Sequence, residues 1–169
     1  RALEWTIEVD GEIEEIRGTS DTDWAGDVVT RRSTSGGILR LGGAIVLTWS
    51  KTQGQVSMSS AEAEYSGLVL LAQEALRLRS LGEEFGFSWR VVLESDASSA
   101  IAAAEERGVL RFKHLAIRYL FLKELTERGL VELMKIGTLE NAADMLTKPL
   151  TTEKFGRCMS RLKGMHIAD

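Results

Sequence analysis

The sequence predicts an α/β fold, with one mixed β-sheet and helices packed on it. Three observations carry this. Four β-type segments open the chain, and helices and short apolar strands then take turns. The helical patterns stop at glycines, and the only proline, Pro149, stands near the end. No repeat, linker or low-complexity run divides the 169 residues, which suit one domain over residues 1–169.

The elements follow in order. "ALEWTIEV" alternates apolar and polar residues, and Asp10-Gly11 after it is a hairpin signal. "EIEEIRGTS" is the returning strand, so residues 1–18 read as an N-terminal hairpin, an extra strand before the main sheet. "SGGILRLGGAIVLTWSK" makes two short strands around Gly42-Gly43. A long helix follows over residues 60–81, closed by Gly82 and Gly86. "RVVLESD" is a short interior strand. "SSAIAAAEERG" is a helix with Ser98 as N-cap and Gly108 past its end. "HLAIRYLFLKELTERG" is a second long helix and "LVELMKIG" a strand. "TLENAADMLTK" is a helix stopped by Pro149. Residues 150–169 hold a last amphipathic helix, with Phe155, Met159 and Leu162 on one stripe.

Composition excludes several classes. The chain has 44% hydrophobic and 27% charged residues, ordinary for a soluble globular protein, and no apolar run approaches a membrane span. No secretory signal pattern is present. A start at Arg1 rather than Met predicts a piece of a longer protein. With one cysteine, Cys158, no internal disulfide forms, and two histidines are too few for a zinc site built from histidine. The net charge of -4 is unusual for a binder of phosphate backbones. That average hides a basic stretch over residues 107–123 that contains Arg107, Arg111, Lys113, Arg118 and Lys123 with no acid.

The first long helix carries the sharpest signal. In "SSAEAEY", Glu62 and Glu64 are two residues apart and so point about 200° away from each other. Ser59 and Glu62 fit a capping box, which explains Glu62. Positions 62, 66, 69, 73, 77 and 80 form a mostly wet face. Positions 61, 64, 68, 71, 75 and 78 form an apolar stripe with one carboxylate in it, Glu64. A carboxylate there costs several kcal/mol unless charge or hydrogen bonds compensate, or it sits at the rim of the first turn, favoured by the helix dipole. Three more acids occupy strand ends or helix starts: Asp21 in "TSDTDW", Asp96 ending "VVLESD", and Asp144 in "NAADML". Such positions are where α/β ligand sites collect, although plain turns use acids there too. If the four converged they would repel unless divalent cations joined them. Oxygen ligands select Mg²⁺ or Mn²⁺, and a pair of such ions suits phosphodiester hydrolysis.

Six motifs in register, "SDTDWAGD", "RRSTSGG", "LTWSKTQGQVSMSSAEAEY", "ESDASSAI", "KHLAIRY" and "NAADMLTKPL", resemble the ribonuclease H domain of copia-type retrotransposon polyproteins. The likeness spans residues 20–150. It implies a ribonuclease H-like fold, a five-stranded mixed sheet flanked by helices, with residues 1–18 as a remnant of the connection to a reverse transcriptase. It implies cleavage of the RNA strand of RNA/DNA hybrids with two Mg²⁺, which Mn²⁺ can replace. By motif, Asp21, Glu64, Asp96 and Asp144 become the metal-binding catalytic acids. The implied partners are the hybrid and the reverse transcriptase domain of the same polyprotein, inside the cell in a virus-like particle or the nucleus. Expected substrate contacts are Arg31, Arg32, Lys51, Arg111, Lys113, His114 and Arg118 on phosphates, with Ser59 and Ser60 near an RNA 2′-OH. Trp24, Trp49, Tyr65 and Tyr119 are expected in the core.

The sequence departs from the family pattern in three places. Ala97 follows Asp96 where an asparagine is usual, Ala116 replaces an acid, and the loop "KIGTLEN" lacks the histidine of many cellular relatives. Two rival readings remain. One is a catalytically silent hybrid-binding or scaffold domain, which four intact carboxylates oppose. The other is a different nuclease of the same fold, such as an integrase or resolvase core, which the helix glutamate between the first two aspartates opposes.

Overall fold

In the computed structural model, residues 3–5, 13–105, 113–162 and 165–167 are described. The central sheet grows from three antiparallel strands: β2 (Glu15–Asp23), β3 (Thr34–Leu41) and β4 (Ala44–Thr52). β3 and β4 join through Gly42 and Gly43, whose φ angles of 56° and 85° supply the two left-handed residues a tight hairpin needs. β5 (Arg90–Ser95) and β6 (Glu132–Lys135) extend the sheet on the other side of β2, both in parallel pairing. The order is β4-β3-β2-β5-β6, a five-stranded mixed sheet.

Three helices follow from the periodic apolar stretches: α1 (Ser60–Glu84), α2 (Ser98–Glu105) and α3 (Lys113–Glu127). α1 packs on the sheet through Leu68, Leu71, Ala72 and Ala75, all fully buried, against Ile16, Leu39 and Leu93. Burial of that apolar surface is the main favourable term holding helix to sheet. Gly67 permits the close approach near the helix start: a Cβ there would stand 2.6 Å from Thr22 Oγ1. The helix runs past Gly82 to Glu84, three residues beyond the expected end. Gly82 instead faces the Trp89 ring, where a Cβ would stand 2.2 Å from the ring. The left-handed residue that follows the helix is Gly86, at φ 83°.

A second, smaller core lies between the sheet and the C-terminal elements. It joins Ile38 and Ile45 to Ala142, Ala143 and Leu162. Residues 138–148, expected as one helix, instead hold two 3-10 turns, Thr138–Glu140 and Ala142–Leu146. The break falls at Asn141, whose side chain caps the second turn by accepting the Ala143 N–H at 3.1 Å. α4 (Thr152–Ser160) is capped by Thr151. Its inward residues are Cys158 and Met159, followed by Leu162, whereas Phe155 is about half exposed, so the expected stripe is shifted.

The N-terminal strand differs most from expectation. β1 (Leu3–Trp5) pairs antiparallel with β7 (Met165–Ile167), Leu3 opposite Ile167, in a separate two-stranded sheet. It does not pair with β2. Asp10 and Gly11 of the expected hairpin lie outside the described residues. Residues 15–18, assigned above to that hairpin, belong to the central strand β2.

Candidate active site

Parallel pairing of β2 with β5 puts the C-terminal ends of both strands on one edge of the molecule. Asp21 lies near the end of β2 and is 5% exposed. Asp96 follows the last residue of β5. The start of α1 carries Glu64 there, and the second 3-10 turn carries Asp144. Four separate elements thus carry the four carboxylates to this edge, where Lys148 pairs with Asp144 and stands 3.8 Å from Asp21, and Asn141 bonds Asp96. Burial first, then the charges of Asp144 and Asp96, push the Asp21 carboxyl above its usual range, against the pull of Thr147 and Lys148. Glu64 is pushed up to about 8, by burial and then by Asp21 and Asp96, while the Thr22 backbone N–H and Lys148 pull it back. These are the shifts expected of desolvated like charges.

The two glutamates of "EAE" separate as the helical geometry demands. Ser59 caps α1, its Oγ accepting the Glu62 N–H at 3.2 Å. Glu62 accepts the backbone N–H of Met58 at 2.8 Å, one residue before the donor that a standard capping box uses. Glu64 points inward, and its Oε2 is a buried oxygen with no hydrogen-bond partner among the described residues. An unpartnered buried carboxylate oxygen is costly unless something else satisfies it.

Three residues not expected at the site from their sequence context organise the cluster. Thr147 Oγ1 donates to Asp21 Oδ2 at 2.5 Å. Lys148 Nζ pairs with Asp144 Oδ1 and stands 3.8 Å from Asp21 Oδ2. Asn141, 2% exposed, donates through Nδ2 to the Ser20 carbonyl at 2.9 Å and to Asp96 Oδ1 at 3.3 Å. It ties the 3-10 turn to both strand ends. The spacing of Asp144 and Lys148, four residues apart, was the available signal for the second of these.

The donor set suits a hard divalent cation. All four acids offer oxygen only, Glu64 Oε2 has no other partner, and each carboxylate raises the charge burden of the next. Among the described residues no three acids already stand close enough to form a finished cage. The Lys148 ammonium lies between Asp21 and Asp144 and supplies positive charge there.

The remaining expected contacts divide into four groups. Ser59 and Ser60 are exposed at the start of α1, within five residues of Glu64. Arg31 and Arg32 are exposed in the turn after β2, with Arg31 at φ 56°. Lys51 and Arg118 line one cavity of about 260 Å³ between the end of β4, α1 and α3, where Arg118 Nη1 donates to Ser66 Oγ at 3.1 Å. Arg111 lies outside the described residues, as do the side chains of Lys113, His114 and Tyr119. Of the expected core aromatics, Tyr65 is 1% exposed, but Trp24 is 48% exposed and fixed by its Nε1–H to the Ser57 carbonyl at 3.0 Å.

Comparison with known proteins agrees with this architecture. No protein-family model matches the chain. It is 34% identical over 153 residues to the retrovirus-related Pol polyprotein from transposon TNT 1-94 of Nicotiana tabacum, covering 89% of this chain and 11% of that protein. It is 32% identical over 150 residues to the corresponding polyprotein from transposon RE1 of Arabidopsis thaliana, covering 87% of this chain and 10% of that one. Among solved structures it resembles LC11-RNase H1, isolated from compost, with a TM-score of 0.62 at 16% identity over 87% of this chain and 99% of that chain. The same protein in complex with RNA/DNA hybrid gives a TM-score of 0.57 at 17% identity, over 79% of this chain and 94% of that one. The chain therefore has a ribonuclease H fold and is a relative of the retrovirus-related Pol polyproteins of plant transposons, spanning about a tenth of their length.

Proposed function

We propose that this chain is the ribonuclease H domain of a copia-type retrotransposon polyprotein and hydrolyses the RNA strand of RNA/DNA hybrids. One observation carries the reading: Glu64 is turned inward at the edge that also holds Asp21, Asp96 and Asp144, with a buried oxygen that no group among the described residues satisfies. A purely structural helix start needs no such carboxylate, since Ser59 and Glu62 already complete the cap. The hybrid complex of LC11-RNase H1 and the Pol relatives support the choice of substrate.

Asp21, Glu64, Asp96 and Asp144 would hold two Mg²⁺, with Mn²⁺ as a substitute. When bound, the metals lower the pKa of an attacking water and neutralise charge on the leaving oxygen. The protein's own part is positioning. Thr147 and Asn141 fix the Asp21 and Asp96 carboxylates, so little reorganisation remains at the moment of reaction. Lys51, Arg118, Arg31 and Arg32 would hold phosphates, and Ser59 and Ser60 would meet the ribose 2′-OH. The loop before Asn141 carries no histidine, so a histidine proton shuttle there has no part in the reaction. The products carry a 5′-phosphate and a 3′-hydroxyl. The reverse transcriptase of the same polyprotein is the proposed partner.

The placement of Lys148 between Asp21 and Asp144 favours a second reading, a hybrid-binding domain that does not cut. A labelled hybrid, incubated with the domain and Mg²⁺, separates the two. Fragments that disappear with EDTA and with Asp96→Asn support the hydrolase, and binding without fragments supports the silent domain.

A further inference from the structure

A second charged cluster lies on β2, away from the carboxylates. Arg17, Thr19 and Asp21 alternate along the strand and share one face, so Arg17 is about 13 Å from Asp21 at the rise of an extended chain. Arg17 stands directly opposite Arg40 in the β2–β3 register. Like charges so placed repel. Arg17 is well compensated: its Nε donates to Glu15 Oε1 at 2.8 Å and its Nη1 to Glu94 Oε1 at 2.5 Å. Arg90 pairs with Glu15 at 2.7 Å. Burial would raise the Glu15 carboxyl, but Arg17 and Arg90 hold it below its usual range.

Arg40 is different. Its one hydrogen bond among the described residues is long, from Nη1 to Thr19 Oγ1 at 3.4 Å, and no described carboxylate lies within ion-pair reach. Even so the side chain is half-buried. Burial lowers its pKa, with Glu94 opposing and Arg17 adding to the effect. A guanidinium carries five N–H donors, and one long bond to a described residue leaves the others open to the space beside it. Beside it opens a cavity of about 430 Å³, walled by Glu14, Glu15, Arg17, Arg40, Arg90 and the Gly42-Gly43 turn. The turn contributes open room, since a Cβ on Gly43 would meet nothing within 4 Å. Three guanidinium groups face two paired carboxylates, Glu15 and Glu94, with the exposed Glu14 at the rim.

We infer that this cavity is an oxyanion site, which seats a phosphate or carboxylate group against Arg40. The planar fork of a guanidinium matches either group with two parallel bonds. An anion there also relieves the repulsion between Arg17 and Arg40. The inference is independent of the hydrolase reading, because the cavity shares no residue with the carboxylate site.

Thermal melting of the full chain tests it. Inorganic phosphate is titrated at constant ionic strength against chloride, and acetate in a parallel series. The melting temperature is expected to rise saturably with at least one of them, and the anion with the lower half-saturation names the oxyanion. Arg40→Met is expected to abolish the rise. Arg40→Lys keeps charge and length, protects the fold and loses the fork, so its half-saturation is expected to climb several-fold. Arg128→Gln, at a surface arginine paired with Glu124, is expected to keep the wild-type response, which separates this cavity from a general effect of surface charge. No saturable rise with either anion overturns the inference. So does an unchanged half-saturation in Arg40→Lys.

Discussion

Glu64→Gln in the metal-free protein isolates the electrostatic cost of the inward carboxylate. In the folded chain Glu64 titrates at about 8, against an ordinary value of 4.5. A raised carboxyl means that the folded state holds its proton more tightly than the unfolded state does. The sign follows: stability is greatest below the ordinary value and falls as pH rises from about 4.5 to 8. At about 1.4 kcal/mol for each unit, the penalty is below about 1 kcal/mol at pH 5 and about 5 kcal/mol above pH 8. Glutamine is neutral at every pH and keeps an oxygen for the Thr22 N–H. The mutant should therefore melt only slightly higher than wild type at pH 5 and clearly higher at pH 8.5. For a chain of this size, a change of about 1 kcal/mol moves the melting temperature by roughly 2–4 °C, so the penalty of about 5 kcal/mol corresponds to a gain of roughly 10–20 °C at pH 8.5. Melting curves in EDTA at the two pH values measure it. A gain that is the same at both pH values, or a loss at pH 8.5, would refute the reasoning.

Three further outcomes follow from the same geometry. Lys148→Met should lower the metal-free melting temperature, because Asp21 and Asp144 lose their shared cation, and should enlarge the rise produced by Mn²⁺; a smaller rise would count against the role of Lys148 as an internal counter-ion. Asp21→Asn should abolish hybrid cleavage while Asp23→Asn leaves much of it, because Asp23 folds back on its own turn beside Gly26; the reverse result in a gel assay would move the site by two residues. Replacing Lys51 and Arg118 with glutamine should weaken hybrid binding and flatten its salt dependence, read by fluorescence anisotropy at several salt concentrations, and an unchanged slope would make that cavity a solvated surface.

What the sequence made legible was local or periodic. Glu64 could be turned inward on paper because helix spacing alone sets it apart from Glu62, and Ser59 marked where counting should begin. Gly42-Gly43 announced a hairpin because two left-handed residues in a row suit few others. The failures were non-local. β1 alternates like any half-buried strand, and nothing in its own residues says that its partner is β7, at the other end of the chain. Gly82 reads as a helix stop until Trp89 is seen to need the space. The 3-10 geometry near Asp144 depends on Asn141 reaching Ser20 and Asp96, over 121 and 45 residues of chain. The same distance hid Thr147, which meets Asp21 126 residues away.

The central claim is that the four carboxylates form a metal-dependent hydrolytic site. Its most direct measurement is digestion of a 5′-labelled RNA/DNA hybrid by the chain in Mg²⁺, run beside Glu64→Gln and beside duplex DNA. RNA fragments ending in a 3′-hydroxyl are expected from the wild type, with a loss of several orders of magnitude in Glu64→Gln and intact duplex DNA. Glu64→Gln protein that cuts the hybrid at a rate near wild type would contradict the claim.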